Sequence, residues 1–322
     1  MLSLLPLLAA ALPLVLASTL SRRSINGPVI TSNFPDPSIL AVGGIYYVYS
    51  TNSGGKHVPM QTSSDFVNWV PVSTDALPTV GAWSNGQNVW APDVVQLRDG
   101  SYVMYYAAES ATSPNRHCVG AATASNPQGP FAPVSTALVC NTDQGGAIDP
   151  AGFSDVDGSL YLLWKIDGNN IGHGGNCGNS VAPIVPTPIM MQKLDASGTA
   201  FAAGSSAIQV LDRDNNDGPL IEAPSLVRTS GGVYVLFFSS NCYAGSLYDI
   251  AYATATSVTG PYTKGPWLMK TGTPFANLYS PGGADVTPDG TRLVFHADLG
   301  TTANTRQMYT ASISISGHTV SI

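Results

Sequence analysis

Charge is scarce in this chain. Of 322 residues, 13 are Lys or Arg and 20 are Asp or Glu, for a net charge of −7. That balance leaves no basic footprint for nucleic acid. Beyond the first 17 residues no apolar run is long enough to span a bilayer, so no membrane partner is expected. There are only four cysteines, and no Cys-x-x-Cys or His/Cys pattern of the kind zinc requires. Apolar residues at helical spacing are also missing. What is abundant is Gly (33), Pro (24), aromatics and β-branched residues. This is the make-up of a turn-rich all-β protein.

The N-terminus reads MLSLLPLLAAALPLVLAS. Its apolar core and the small residues around Ala17 fit a signal peptide over residues 1–17, although no Lys or Arg precedes the core. Arg22-Arg23 could end a short pro-segment at residue 23. The expected mature unit is a single domain over residues 24–322, secreted and monomeric. An even cysteine count in a secreted chain favours two disulfides, with three connectivities open.

Five segments align with one another: FPDPSILAVGGIYYVYST from residue 34, APDVVQLRDGSYVMYYAA from 91, AIDPAGFSDVDGSLYLLWKI from 147, IEAPSLVRTSGGVYVLFFSS from 221 and GGADVTPDGTRLVFHADL from 282. Each has an acid near Pro or Gly, a short apolar strand, a Gly-containing hairpin turn and an aromatic-rich strand. A third strand and a short fourth follow in each. Five such units predict an all-β, five-bladed β-propeller. The leading acids are Asp36, Asp93, Asp149, Glu222 and Asp285. At one phase of every innermost strand they would gather at one mouth of the central channel. Each alone could be a turn cap. Five together would raise one another's pKa, a cost that suggests a use.

The loops after the second strands, 52–57, 109–117, 167–181, 241–247 and 299–305, should wall that mouth. Cys177 and Cys242 fall on adjacent loops and suit a bridge, which leaves Cys118 for Cys140. Paired carboxyls across a pocket are the equipment of glycoside hydrolysis. A separation of roughly 6.5–9.5 Å admits a water and gives inversion.

The ordered set FPDPSI, VWAPDV, AIDPAGF, IEAPSL and FHA resembles the blade signatures of glycoside hydrolase family 43, over about residues 30–315. The resemblance implies an inverting propeller hydrolase acting on arabinose- or xylose-containing polysaccharide. It implies Asp36 as general base, Glu222 as general acid and Asp149 as the carboxylate tuning that acid. Asp93 and Asp285 read as supporting residues, and SPGG near Asp285 departs from the family's usual stretch. Trp90 and Phe34 are candidates for the sugar pocket. Trp69, Trp83, Trp164 and Trp267 read as packing residues, and His117 and His173 as solvated loop residues. Arg292 and Arg306 are open between pocket and surface. Relatives with the HA element imply a calcium ion at the propeller axis near His296; no other cofactor is expected. The favoured activity is α-L-arabinofuranosidase or exo-arabinanase. Endo-1,5-α-L-arabinanase and β-xylosidase are alternatives, and a non-catalytic carbohydrate-binding propeller is a more distant one.

Overall fold

The computed structural model describes residues 25–272, 274–275, 278–300 and 305–322. The expected signal segment lies outside them. The described residues form five antiparallel sheets arranged as blades, with only short 3-10 turns as helical structure. Blade 1 comprises Ser38–Val42, Ile45–Tyr49, Met60–Ser63 and Val70–Pro71. The innermost strands of blades 2, 3, 4 and 5 are Trp90–Gln96, Ala147–Ser154, Ile221–Arg228 and Gly282–Val286.

Blade 5 departs from the sequence reading. Its fourth strand is not supplied by the residues after Arg306–Ser312. The N-terminal strand Ile25–Ile30 pairs with that third strand instead, Ile25 opposite Ala311 and Ile30 opposite Met308. The C-terminal residues form a separate hairpin, Ser314–Ser316 with Thr319–Ser321. Pairing Ile25–Ile30 with Arg306–Ser312 joins segments from opposite parts of the chain in one blade and closes the ring.

The core is divided among the blade interfaces. Blades 1 and 2 enclose Leu40, Tyr49 and Met104; blades 2 and 3 enclose Val103, Tyr105 and Trp164. Blades 3 and 4 share Leu163 and Leu236, and blades 4 and 5 share Phe237 and Phe295. The fifth cluster joins blades 5 and 1 through Val294, Met308, Ile39 and Val48. A second strand is covered on both faces, which is why Tyr102–Glu109 and Tyr234–Ser240 read as continuous apolar or aromatic runs.

Candidate active site

Each innermost strand begins at a kink. The register slips between Trp90 and Asp93, Ile148 and Ala151, Glu222 and Ser225, and Gly282 and Asp285. At the apex the backbone is left-handed: Asp36 (φ 50°), Ala91 (42°), Asp149 (52°), Ala223 (53°) and Gly283 (56°). Four of these precede a proline (Pro37, Pro92, Pro150, Pro224). Left-handed backbone at a non-glycine residue costs about 1–2 kcal/mol and persists where the surroundings enforce it.

The five acids therefore do not share one phase, contrary to the sequence reading. Asp36 and Asp149 stand at the apex. Glu222 is one residue earlier, while Asp93 and Asp285 come two residues later, past the bulge. On a regular strand a two-residue step would keep the same face, but the register slip between apex and acid breaks that alternation in blades 2 and 5, so Asp93 and Asp285 turn to the neighbouring blades. Asp93 accepts the Gly152 N–H at 2.6 Å, joining blade 2 to blade 3. Asp285 accepts the Ile39 N–H at 2.7 Å and the Ser225 hydroxyl at 2.6 Å, joining blade 5 to blades 1 and 4. Burial raises the pKa of both carboxyls. Their supporting role agrees with the expectation.

Asp36, Asp149 and Glu222 all line one cavity of about 810 Å³ on the face walled by the second-strand loops. Their environments differ. Burial would raise Asp36, but the Arg306 guanidinium 3.0 Å from Oδ1, the nearby His296 ring and the Thr51 hydroxyl 2.6 Å from Oδ2 outweigh it. The net shift is downward, so Asp36 is ionised. Asp149 is pushed up to about 8, by burial first and then by the Glu222 charge, against the Lys165 cation and the Ala223 N–H it accepts at 2.9 Å. Glu222 accepts from Lys165 Nζ at 2.9 Å on Oε2 and from the Tyr248 hydroxyl at 2.8 Å on Oε1. Lys165 and Tyr248 carried no motif: each is an ordinary strand or loop residue until the blades meet. Arg306, open between pocket and surface in the sequence, lines the cavity.

Trp90 lines the cavity as expected, its indole stacked on the His117 ring at 3.9 Å between centroids. His117 is not a solvated loop residue. It opens the third strand of blade 2, is 4% exposed, lines the cavity and has neither ring nitrogen hydrogen-bonded. Burial lowers its pKa. Phe34 is misplaced by the sequence reading. It lies in the core between blades 5 and 1 with Ile39, Val48 and Met308, because its N–H is tied to the Arg306 carbonyl at 2.8 Å and its ring turns inward. His173 stays on its loop, bonded to the Pro183 carbonyl at 2.7 Å. Arg292 lies over Tyr46 and Phe66, away from the cavity. Trp69, Trp83 and Trp164 pack against Phe66, Tyr106 and Phe201. Trp267 does not pack in the core: it is exposed, with Lys270 Nζ 3.9 Å above its ring.

The disulfides pair Cys118 with Cys140 and Cys177 with Cys242. The second joins the loops of blades 3 and 4 on the cavity wall. That wall includes Asn169, Asn170, Gly174 and Tyr243.

His296 lies beside the channel, fully buried, and burial pushes its pKa down to about 3. Its Nδ1 accepts the Asp36 N–H at 3.0 Å, which leaves a buried Nε2 without a hydrogen-bond partner. Calcium takes six to eight oxygen ligands. Here one nitrogen is offered, Asp36 is engaged by Arg306 and Thr51, and among the described residues no group of three His, Cys, Asp or Glu side chains is placed to hold a metal ion. This donor set does not fit calcium.

A closed propeller with three carboxyls of unequal acidity in one walled cavity defines a class of acid–base hydrolase. A family model described as Glycosyl hydrolases family 43 matches residues 25–316, and the chain belongs to that family. It is 29% identical over 279 residues to the extracellular endo-α-(1→5)-L-arabinanase 1 of Bacillus subtilis, covering 81% of this chain and 79% of that protein. It is 28% identical over 260 residues to the extracellular endo-α-(1→5)-L-arabinanase of Thermotoga petrophila, covering 70% of this chain and half of that protein's length. The solved native arabinanase of Bacillus subtilis superimposes with a TM-score of 0.69 at 25% identity, covering 91% of this chain and 98% of that one.

Proposed function

We propose that the chain is an inverting glycoside hydrolase cleaving α-L-arabinofuranosyl linkages of arabinan or arabinoxylan. The observation that carries this reading is the contrast within the cavity: Asp36 held ionised by Arg306 and Thr51, and Asp149, buried beside Glu222 and pushed up to about 8, holding a proton at neutral pH. Asp36 takes a proton from water as the water oxygen bonds to the anomeric carbon. The glycosidic C–O bond breaks, and a proton passes from the Glu222 carboxyl, beside Asp149, to the leaving oxygen. Trp90 offers a flat apolar face to the sugar. The chemistry needs side chains only and no cofactor.

Release of single arabinose units from chain ends is the primary reading. The loop after Ile166, tied to blade 4 through Cys177 and Cys242, contributes a wall on one side of the cavity, as a blocked end requires. Internal cleavage is the second reading, favoured by the names of the two arabinanases. The paired cysteines and the extracellular relatives support secretion.

Product profiling on linear arabinan, branched arabinan, arabinoxylan and xylo-oligosaccharides tests the substrate. Arabinose alone means end-release, a ladder means internal cleavage, and xylose alone would replace the arabinan reading with a β-xylosidase. No released sugar from any of the four would leave the carbohydrate-binding alternative standing. Anomer-resolved NMR of the first product tests inversion.

A further inference from the structure

One ring of equivalent positions around the axis is occupied by Thr51, Ala107, Lys165, Ser239 and His296. Each stands opposite the residue just before the apex of its own blade: Trp90 faces Ala107, Ile148 faces Lys165, Glu222 faces Ser239 and Gly282 faces His296. In blade 1 the Thr51 N–H donates to the Pro35 carbonyl at 3.1 Å. Three of these side chains do the same work. Thr51 Oγ1 accepts the Ala91 N–H at 2.8 Å, Ser239 Oγ accepts the Gly283 N–H at 3.0 Å, and His296 Nδ1 accepts the Asp36 N–H at 3.0 Å. Each caps the apex of the next blade and locks the ring.

Ala107 has no acceptor to offer, and Lys165 departs from the rule with a charge. An ammonium group has three donors and no acceptor. The apex it would have capped, Ala223, turns to Asp149 instead. Lys165 is nevertheless fully buried, an expensive place for a cation unless it is paired. Its Nζ lies 2.9 Å from Glu222 Oε2 and 3.3 Å from Asp167 Oδ1. A departure from a local pattern with no scaffold gain marks a functional position.

We propose that Lys165 is a positioning residue for hydrolysis, its ammonium group fixing the Glu222 carboxyl and setting its positive charge against the Asp149–Glu222 pair. The inference rests on the hydrolase reading of the same cavity. The groups facing the pair come from every blade around it. Asp149 is on the inner strand of blade 3, with Lys165 on the second and Asp167 just after it. Tyr248 is in blade 4, Asp36 and Arg306 also line the cavity, and Glu109 and His117 of blade 2 stand beside Asp167. Among the described residues only Lys165 puts a positive charge against Glu222 itself. Burial would lower the Lys165 pKa, but the Glu222, Asp167 and Asp149 charges outweigh it, so the cation persists throughout the working range.

The test is the basic limb of the kcat/KM–pH profile on linear arabinan. Lys165→Met removes the charge at nearly constant volume. The pair then keeps its proton longer, and the limb moves up by about 1–3 pH units, the size of an adjacent-charge effect. Asp167→Asn removes the competing anion and moves the limb the opposite way. Lys165→Arg keeps the charge and leaves the limb where wild type has it, whatever happens to kcat. A merely structural lysine would change stability or kcat without moving the limb. A limb unmoved in Lys165→Met overturns the proposal. If that variant does not fold, an unmoved or upward limb in Asp167→Asn does so. Infrared titration of the protonated-carboxyl band reads the same shift without turnover. A chain inactive on arabinan, yet with the band persisting to higher pH in Lys165→Met, would sink the substrate reading and keep this one.

Discussion

Arg306 and Asp36 are joined across the closure of the propeller. The guanidinium of the third strand of blade 5 lies 3.0 Å from Oδ1 of the carboxyl that heads blade 1. The chain spans 270 residues between them. The lowered pKa of the buried Asp36 is thus a product of ring closure, since the cation that offsets its burial comes from the last blade.

Arg306→Met should raise the Asp36 pKa, because the opposing charge is lost while burial remains. A base must be ionised to act, so the acidic limb of the kcat/KM–pH profile should move up by about 1–3 units. Activity well above that limb should fall less than at its foot. An acidic limb that does not move would show that Arg306 is not what keeps Asp36 charged.

Glu222→Gln should lower kcat on arabinan by about 10²–10⁴-fold, the usual range for a proton donor. On an arabinofuranoside whose leaving group is an activated phenol the loss should shrink, because that oxygen needs no proton to depart. Asp36→Asn should lose comparably on both substrates. Equal losses for Glu222→Gln on the two substrates would remove Glu222 from the donor role.

Asp149 gives a stability prediction with a definite sign. Its folded pKa, about 8, lies above the usual carboxylate value of 3.8. Folding is therefore favoured by its proton at low pH, and that contribution is lost as pH rises from about 4 to about 8. Asp149→Asn keeps a neutral group throughout. Its melting temperature relative to wild type should climb between pH 5 and pH 9 while activity falls. A difference that stays flat with pH would contradict the raised pKa.

Asp285 should matter for stability and not for chemistry. Asp285→Ala leaves the Ile39 N–H and the Ser225 hydroxyl without their partner. At about 1–3 kcal/mol for each stranded group, the loss should total about 2–6 kcal/mol. Urea unfolding measures it, and the folded fraction should keep the wild-type pH profile.

The Cys177–Cys242 bridge encloses a 65-residue separation, worth about 4 kcal/mol in the chain-entropy model. Cys177→Ser with Cys242→Ser should cost stability of that order. It should also raise KM more than it lowers kcat, since the bridge ties two wall loops and touches none of the three carboxyls. A change confined to kcat would place the bridge closer to the chemistry than its position indicates.

Much of this molecule was written in one dimension. Gly-containing hairpin turns and aromatic second strands repeat along the chain, so five blades could be counted before any contact was known. The five leading acids stood out because each sits near a proline or glycine at the head of an apolar run, and the family resemblance singled out Asp36, Asp149 and Glu222. Local backbone physics decides such features, and a sequence carries local physics directly. Phe34, His117 and Trp267 were placed wrongly because exposure depends on which blade covers a residue. Ring closure by Ile25–Ile30 was missed for a related reason: strand pairing is a choice among partners distant in the chain. The kinks that separate Asp93 and Asp285 from the other acids depend on register. Lys165, Tyr248 and Arg306 became part of the site only when neighbouring blades brought their charges and hydroxyls within hydrogen-bond distance of the carboxyls. Composition and spacing therefore determined the architecture and a set of five leading acids, and the family resemblance drew three of them out as the reacting carboxyls. The tertiary structure alone decided which acid is charged, because acidity depends on burial and on neighbours that only the closed ring supplies.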